Sequence, residues 1–119
     1  DKNNVKVVFD KDCNALYFSR EPIPSPWNGW KEIPKYMQTG IIAFRRNALI
    51  NFNDLGETEL EIIESIDMNR VLEHGGAIRV VPTDEQTIGV DIPEELEQVE
   101  KILANDPQVR EYLNPNERE

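Results

Sequence analysis

Ile78-Arg79-Val80-Val81-Pro82-Thr83-Asp84-Glu85-Gln86-Thr87-Ile88-Gly89-Val90-Asp91-Ile92-Pro93-Glu94-Glu95-Leu96 decides how the chain is read. Its β-branched opening predicts a buried strand, its polar middle a loop, and its end an abrupt helix start. Pro93 suits a first helical turn, where its missing N–H costs nothing. Asp91 and Glu94 have capping-box spacing, with Asp in place of Ser or Thr. Leu96, Val99 and Leu103 then form an apolar stripe at helical spacing. Asp91 has two readings. It caps the helix, or it faces a cleft at a strand-to-helix corner and holds a hard cation such as magnesium.

Working outward, Val5 to Phe9 predicts a strand, Asp10 to Asn14 a turn, and Ala15 to Phe18 the return strand of a hairpin. Three prolines in Pro22-Ile23-Pro24-Ser25-Pro26 force an extended path. Trp27 and Trp30 sit there, either covering a core edge or forming a patch for another subunit. Thr39 to Phe44 is a continuous apolar run that suits a strand buried on both faces. Arg45 to Asn53 predicts a short helix. Thr58 and Glu61 have capping-box spacing, so a second helix should run from there to about His74 and stop at Gly75-Gly76. On that helix Asp67 falls among Leu60, Ile63 and Val71. A carboxylate there needs a partner such as Arg70, or a polar cavity. Residues 77–81 predict a strand, Pro93 to about Ala104 a helix, and Gln108 to Leu113 one further turn. Alternating strands and helices point to an α/β fold.

A chain of 119 residues with 39% hydrophobic content supports one domain with a modest core. Its formal net charge of −10 argues against a nucleic-acid partner and against anionic membrane surfaces. An anionic substrate would need local positive charge or a metal to offset that field. Cys13 is the single cysteine, so no intrachain disulfide forms, in keeping with a cytoplasmic location. No apolar run reaches membrane-spanning length. Asp1 rather than Met opens the chain, which implies a start after processing or inside a longer protein. The glycines fit neither the dinucleotide fingerprint nor the P-loop spacing.

Four motifs, in order, resemble the CMP-Kdo synthetases (3-deoxy-manno-octulosonate cytidylyltransferases) over roughly residues 4 to 105. They are Asp10-Lys11-Asp12-Cys13-Asn14-Ala15-Leu16-Tyr17-Phe18-Ser19-Arg20 with Pro22-Ile23-Pro24; Gly40-Ile41-Ile42-Ala43-Phe44-Arg45; the stretch from Leu60 through Glu64, Asp67 and Met68 to Leu72; and Gly89-Val90-Asp91-Ile92-Pro93-Glu94-Glu95-Leu96-Glu97. The resemblance is to the C-terminal half only. It implies part of a Rossmann-like nucleotidyltransferase fold, with a mixed sheet, flanking helices, and a hairpin and dimerisation segment at about 5–45. The helix, strand and helix part would span about 58–105, with a tail at 106–119. It implies a parent enzyme that joins CTP to a Kdo-like 3-deoxy-2-ulosonic acid, giving CMP-sugar and pyrophosphate for cell-surface polysaccharide synthesis. It also implies a cytoplasmic homodimer that uses Mg2+. Carried over by motif, Asp91 is the catalytic metal carboxylate, and Arg20, Gln38 and Asp67 lie at or beside sugar-contacting positions.

The chain departs from that pattern at several places. Gln38 stands where the family usually has His, Ile42 where it often has Tyr, and Met68 where it often has Gln. Ile92 replaces the usual Thr, and Cys13 a usual Gly. A different nonulosonic acid therefore stays open as the substrate. A non-catalytic dimerisation or interaction module is the alternative from another class.

Overall fold

Asx-rich turns between β-branched runs favour hairpins, and the N-terminal part of the chain builds one. The structure, a computed structural model, describes residues 2–29, 32–84, 87–90 and 93–113. They fall into two units, Asp1–Thr83 and Asp84–Glu119.

In the first unit β1 (Lys6–Phe9) pairs antiparallel with β2 (Ala15–Ser19). Lys6 lies opposite Ser19, Val7 opposite Phe18 and Val8 opposite Tyr17, and the register slips between Val8 and Phe9. The Asp10 carboxylate makes the turn by accepting the Asp12 and Asn14 N–H groups, each at 2.9 Å. The Asn14 N–H bond is the largest of the influences that hold the Asp10 carboxyl below its ordinary pKa. Cys13 takes φ 61°, the left-handed conformation a glycine would adopt freely.

β3 (Tyr36–Met37) pairs antiparallel with the other edge of β1, giving the order β2-β1-β3. The strand expected at Thr39 to Phe44 does not form. Gly40 turns the chain at φ 81°, and Ile41 is 83% exposed. Tyr36 and Met37 take the β1 edge instead, and among the described residues Thr39 to Phe44 pairs with no strand. Residues 77–81 likewise form no full strand. They make one bridge, Asn14 to Arg79, flanked by Ala15 N–H to Ile78 O and Val80 N–H to Cys13 O, each at 2.8 Å.

The helices are α1 (Arg46–Asp54), α2 (Glu59–Glu64) and α3 (Met68–Glu73). The Thr58 N–H reaches the Glu61 carboxylate at 3.3 Å, as the capping-box spacing predicts. One helix to His74 was expected, and two are found. Ser65 adopts the left-handed conformation at φ 54° and ends α2. The break turns both Ile66 and Met68 into the core with Val7, Ala15 and Phe18, which a continuous helix would not do. It also invalidates the helical wheel that placed Asp67 among Leu60, Ile63 and Val71. Asp67 is exposed and stands at the start of α3. Arg70 turns instead to Glu61, with Nε–Oε2 at 2.7 Å and a second bond from Nη2 to Oε1. Its guanidinium also stacks 4.7 Å above the Phe52 ring, tying α1 to α2 and α3.

The second unit carries α4 (Pro93–Leu103) and α5 (Pro107–Leu113). Pro93 opens α4, with Glu94 and Glu95 in its first turn and Lys101 in its last, the arrangement the helix dipole favours. Asp106 accepts the Gln108 N–H at 2.8 Å and so caps α5.

Candidate functional site

β1 determines where two of the sequence-predicted residues come together. Its first residue, Lys6, pairs with Ser19 on one side and Met37 on the other. Arg20 directly follows Ser19, and Gln38 directly follows Met37. Both therefore emerge at the same end of the sheet, one on each side of β1. Strand spacing puts their backbones roughly 10 Å apart.

Arg20 is half-buried and heavily tethered. Its Nε donates to the Glu64 carbonyl at 2.8 Å, Nη2 to the Ser65 carbonyl at 3.1 Å, and Nη1 to the Lys2 carbonyl at 3.1 Å. The first two carbonyls are those released where α2 breaks, so a side chain from β2 satisfies the end of that helix. Lys6 Nζ donates to the Arg20 carbonyl at 2.7 Å. Asp67 follows Ser65 by two residues, so the break also brings the start of α3 to the end of the sheet where Arg20 lies.

Gln38 donates its backbone N–H to Val5 O at 2.8 Å, extending the β1–β3 ladder by one bond. Its side-chain Oε1 is buried and finds no hydrogen-bond partner among the described residues. A buried orphan acceptor is uncommon in folded proteins. Asp91 lies outside the described residues. Among those residues no group of three or more His, Cys, Asp or Glu side chains could hold a metal ion.

Glu64 and Asn69, to which sequence reasoning gave no role, and Glu61, which it read only as a helix cap, organise this region. Glu64 accepts Tyr17 Oη at 2.9 Å and Ser19 Oγ at 2.7 Å on one oxygen, and the Arg20 N–H at 2.9 Å on the other. The Arg20 N–H, the largest influence, then Ser19 and Tyr17 hold the Glu64 carboxyl below its ordinary pKa against the opposing effect of burial. Burial first, and Glu64 second, raise that of Tyr17. Asn69, 1% exposed, accepts the Phe18 N–H at 3.3 Å and donates to Phe18 O at 3.1 Å. It serves β2 as one rung of a missing strand. Glu61 holds Arg70, whose two hydrogen bonds depress the Glu61 carboxyl. An asparagine seven residues beyond Ile62 and three beyond Ile66, on their side of a helical wheel, was the available signal for Asn69. Nothing comparable marked Glu64.

The sequence profile described as cytidylyltransferase matches residues 1–81. The chain belongs to the cytidylyltransferase family. Its relatives include the 3-deoxy-manno-octulosonate cytidylyltransferase of Chlamydia caviae, 48% identical over 100 residues that make up 84% of this chain and 39% of that protein. The corresponding protein of Christiangramia forsetii is 44% identical over 86% of this chain and 41% of its own length. A solved structure of CMP:2-keto-3-deoxy-manno-octonic acid synthetase complexed with CTP superposes with a TM-score of 0.80 at 38% identity, over 87% of this chain and 43% of that one. This cytidylyltransferase chain thus has part of an α/β nucleotidyltransferase fold, as the motifs imply. It spans about two-fifths of the length of the curated relatives it matches. No helix among the described residues is long and apolar enough to cross a membrane.

Proposed function

We propose that this chain is the C-terminal part of a CMP-sugar-acid synthetase. The anomeric hydroxyl of a Kdo-like 3-deoxy-2-ulosonic acid attacks the α-phosphorus of CTP. A C–O–P bond forms, the bond to pyrophosphate breaks, and the hydroxyl proton is lost. The observation that carries this reading is the gathering of Arg20, Gln38 and the start of α3 with Asp67 at one end of the sheet. Arg20 would meet the sugar carboxylate through guanidinium N–H groups its carbonyl partners leave over. Gln38, half-buried at that end of the sheet, would meet a sugar hydroxyl through its side-chain amide. Asp67 would accept another.

Asp91 is the residue we assign to magnesium. A single carboxylate suits that ion, which is commonly held by one or two carboxylates together with substrate phosphates. When bound, it would offset phosphate charge and lower the pKa of the attacking hydroxyl. The homodimer is assigned to residues 5–45, where Trp27 is 91% exposed. The cytoplasm is the expected location.

The test is direct. The complete protein, supplied with CTP, Mg2+ and a panel of 3-deoxy-2-ulosonic acids, should release pyrophosphate and yield a CMP-sugar visible by phosphorus NMR. Failure with every acid would remove the enzyme reading. One observation favours the interaction module as the second reading: three Arg20 donors already serve backbone carbonyls, as in a purely structural arginine. Self-association of the complete protein without CMP-sugar formation from any acid would support it, whereas an active Arg20→Ala enzyme with an unchanged sugar-acid KM would make Arg20 structural within an enzyme.

A further inference from the structure

Glu64 holds Arg20 at both ends. Its carboxylate takes the Arg20 backbone N–H at 2.9 Å, and its own carbonyl takes Arg20 Nε at 2.8 Å. The carboxylate is fixed in turn by Tyr17 Oη and Ser19 Oγ, both on the strand that leads into Arg20. Ser19 Oγ also accepts the Glu21 N–H at 3.0 Å, so the chain is held on either side of Arg20.

A guanidinium has five N–H donors. Arg20 commits one each from Nε, Nη1 and Nη2 to the carbonyls of Glu64, Lys2 and Ser65. One donor on each terminal nitrogen is left over. A carboxylate approaching the outer end of the fork would meet one N–H from each terminal nitrogen. Holding the guanidinium through one donor on each of its three nitrogens lowers the rotamer entropy lost when an anion arrives. A freely rotating arginine would lose more.

We infer that Glu64 is a positioning residue. It fixes Arg20 so that the two uncommitted N–H donors are set to receive the carboxylate of the sugar acid. This rests on the reading of Arg20 as a sugar-acid contact. The carboxylate accepts from all three groups around it, two hydroxyls on one oxygen and the Arg20 backbone N–H on the other. An amide could keep the Arg20 N–H only by turning its nitrogen to Tyr17 Oη and Ser19 Oγ, which must then reverse to accept, and the charge-assisted bonds that hold the group are lost. Tyr17 and Ser19 contribute by holding Glu64, and neither needs to touch substrate.

Steady-state kinetics on the complete enzyme test this. With CTP saturating, Glu64→Gln should raise the sugar-acid KM about tenfold and leave the CTP KM within about twofold. Arg20→Lys, which loses the fork, should raise the same KM at least as much. The double variant should be no worse in that KM than Arg20→Lys alone, because both changes remove one interaction. Tyr17→Phe deletes a single donor and keeps the ring in place. It should raise the sugar-acid KM about threefold, which keeps the test open if Glu64→Gln fails to fold. Multiplicative effects in the double variant would overturn the inference and make Glu64 a strut for the fold. An unchanged sugar-acid KM in Glu64→Gln or Tyr17→Phe would do the same. An unchanged sugar-acid KM in Arg20→Lys would instead remove the reading of Arg20 beneath it.

Discussion

Replacing Asn69 tests whether a single side-chain amide stands in for a missing strand. Asn69 is 1% exposed and Phe18 4% exposed, so water cannot take over for either. Truncation to alanine leaves the Phe18 N–H and C=O without partners. Each orphaned buried group costs about 1–3 kcal/mol. The N–H bond is long at 3.3 Å and belongs at the low end of that range, and the carbonyl bond at 3.1 Å nearer the middle. Their sum, with a small term for lost volume, comes to about 3–4 kcal/mol. A domain of this size has only about 5–15 kcal/mol in total. Urea unfolding of the 119-residue chain would read the loss as a lower midpoint at constant slope. Asn69→Leu separates the causes. It restores volume but not hydrogen bonds, so it should lose nearly as much as Asn69→Ala. A leucine variant within about 1 kcal/mol of the parent would refute the reasoning and show that packing volume, not backbone satisfaction, is what Asn69 supplies.

Acid should weaken the fold through Glu61 and Glu64, whose carboxyls are held below their ordinary pKa values. A depressed folded pKa adds stability above the unfolded value of about 4.3, and that stability is lost as pH falls through the folded pKa. Melting temperature should therefore drop below about pH 4, less steeply in Glu64→Gln; parallel acid profiles would disprove the assignment. Asp91→Asn in the complete enzyme should lower turnover far more than melting temperature, and near-normal turnover at limiting magnesium would leave Asp91 a helix cap. Asp67→Asn should raise the sugar-acid KM at saturating CTP, whereas a changed melting temperature alone would make Asp67 structural. The 119-residue chain should self-associate through Trp27, 91% exposed, and Ile41, 83% exposed; light scattering showing a clean monomer at micromolar concentration would sink that expectation.

Local chemistry was legible wherever neighbours in sequence are also partners in space. The hairpin around Asp10 to Asn14, the Thr58–Glu61 cap, and the helices at Arg46–Asp54 and Pro93–Leu103 all follow from turn residues, capping spacing and apolar period. The family was legible too, because its motifs are contiguous runs of residues. What the sequence could not reveal depends on contacts across long separations. A helix from Thr58 to His74 looks continuous until Arg20, more than forty residues earlier, takes up the carbonyls of Glu64 and Ser65 and makes a break affordable. That break moves Asp67 out of an apolar sector and sends Arg70 to Glu61. The run at Thr39 to Phe44 has the composition of a buried strand. Composition reports affinity for a ladder, and only the sheet decides that Tyr36–Met37 has already taken the edge. The same holds for Asn69 and Glu64. Their type is written in the sequence, but their roles exist only once β2 lies against α2 and α3, because a buried polar group acquires its meaning from the partner that satisfies it.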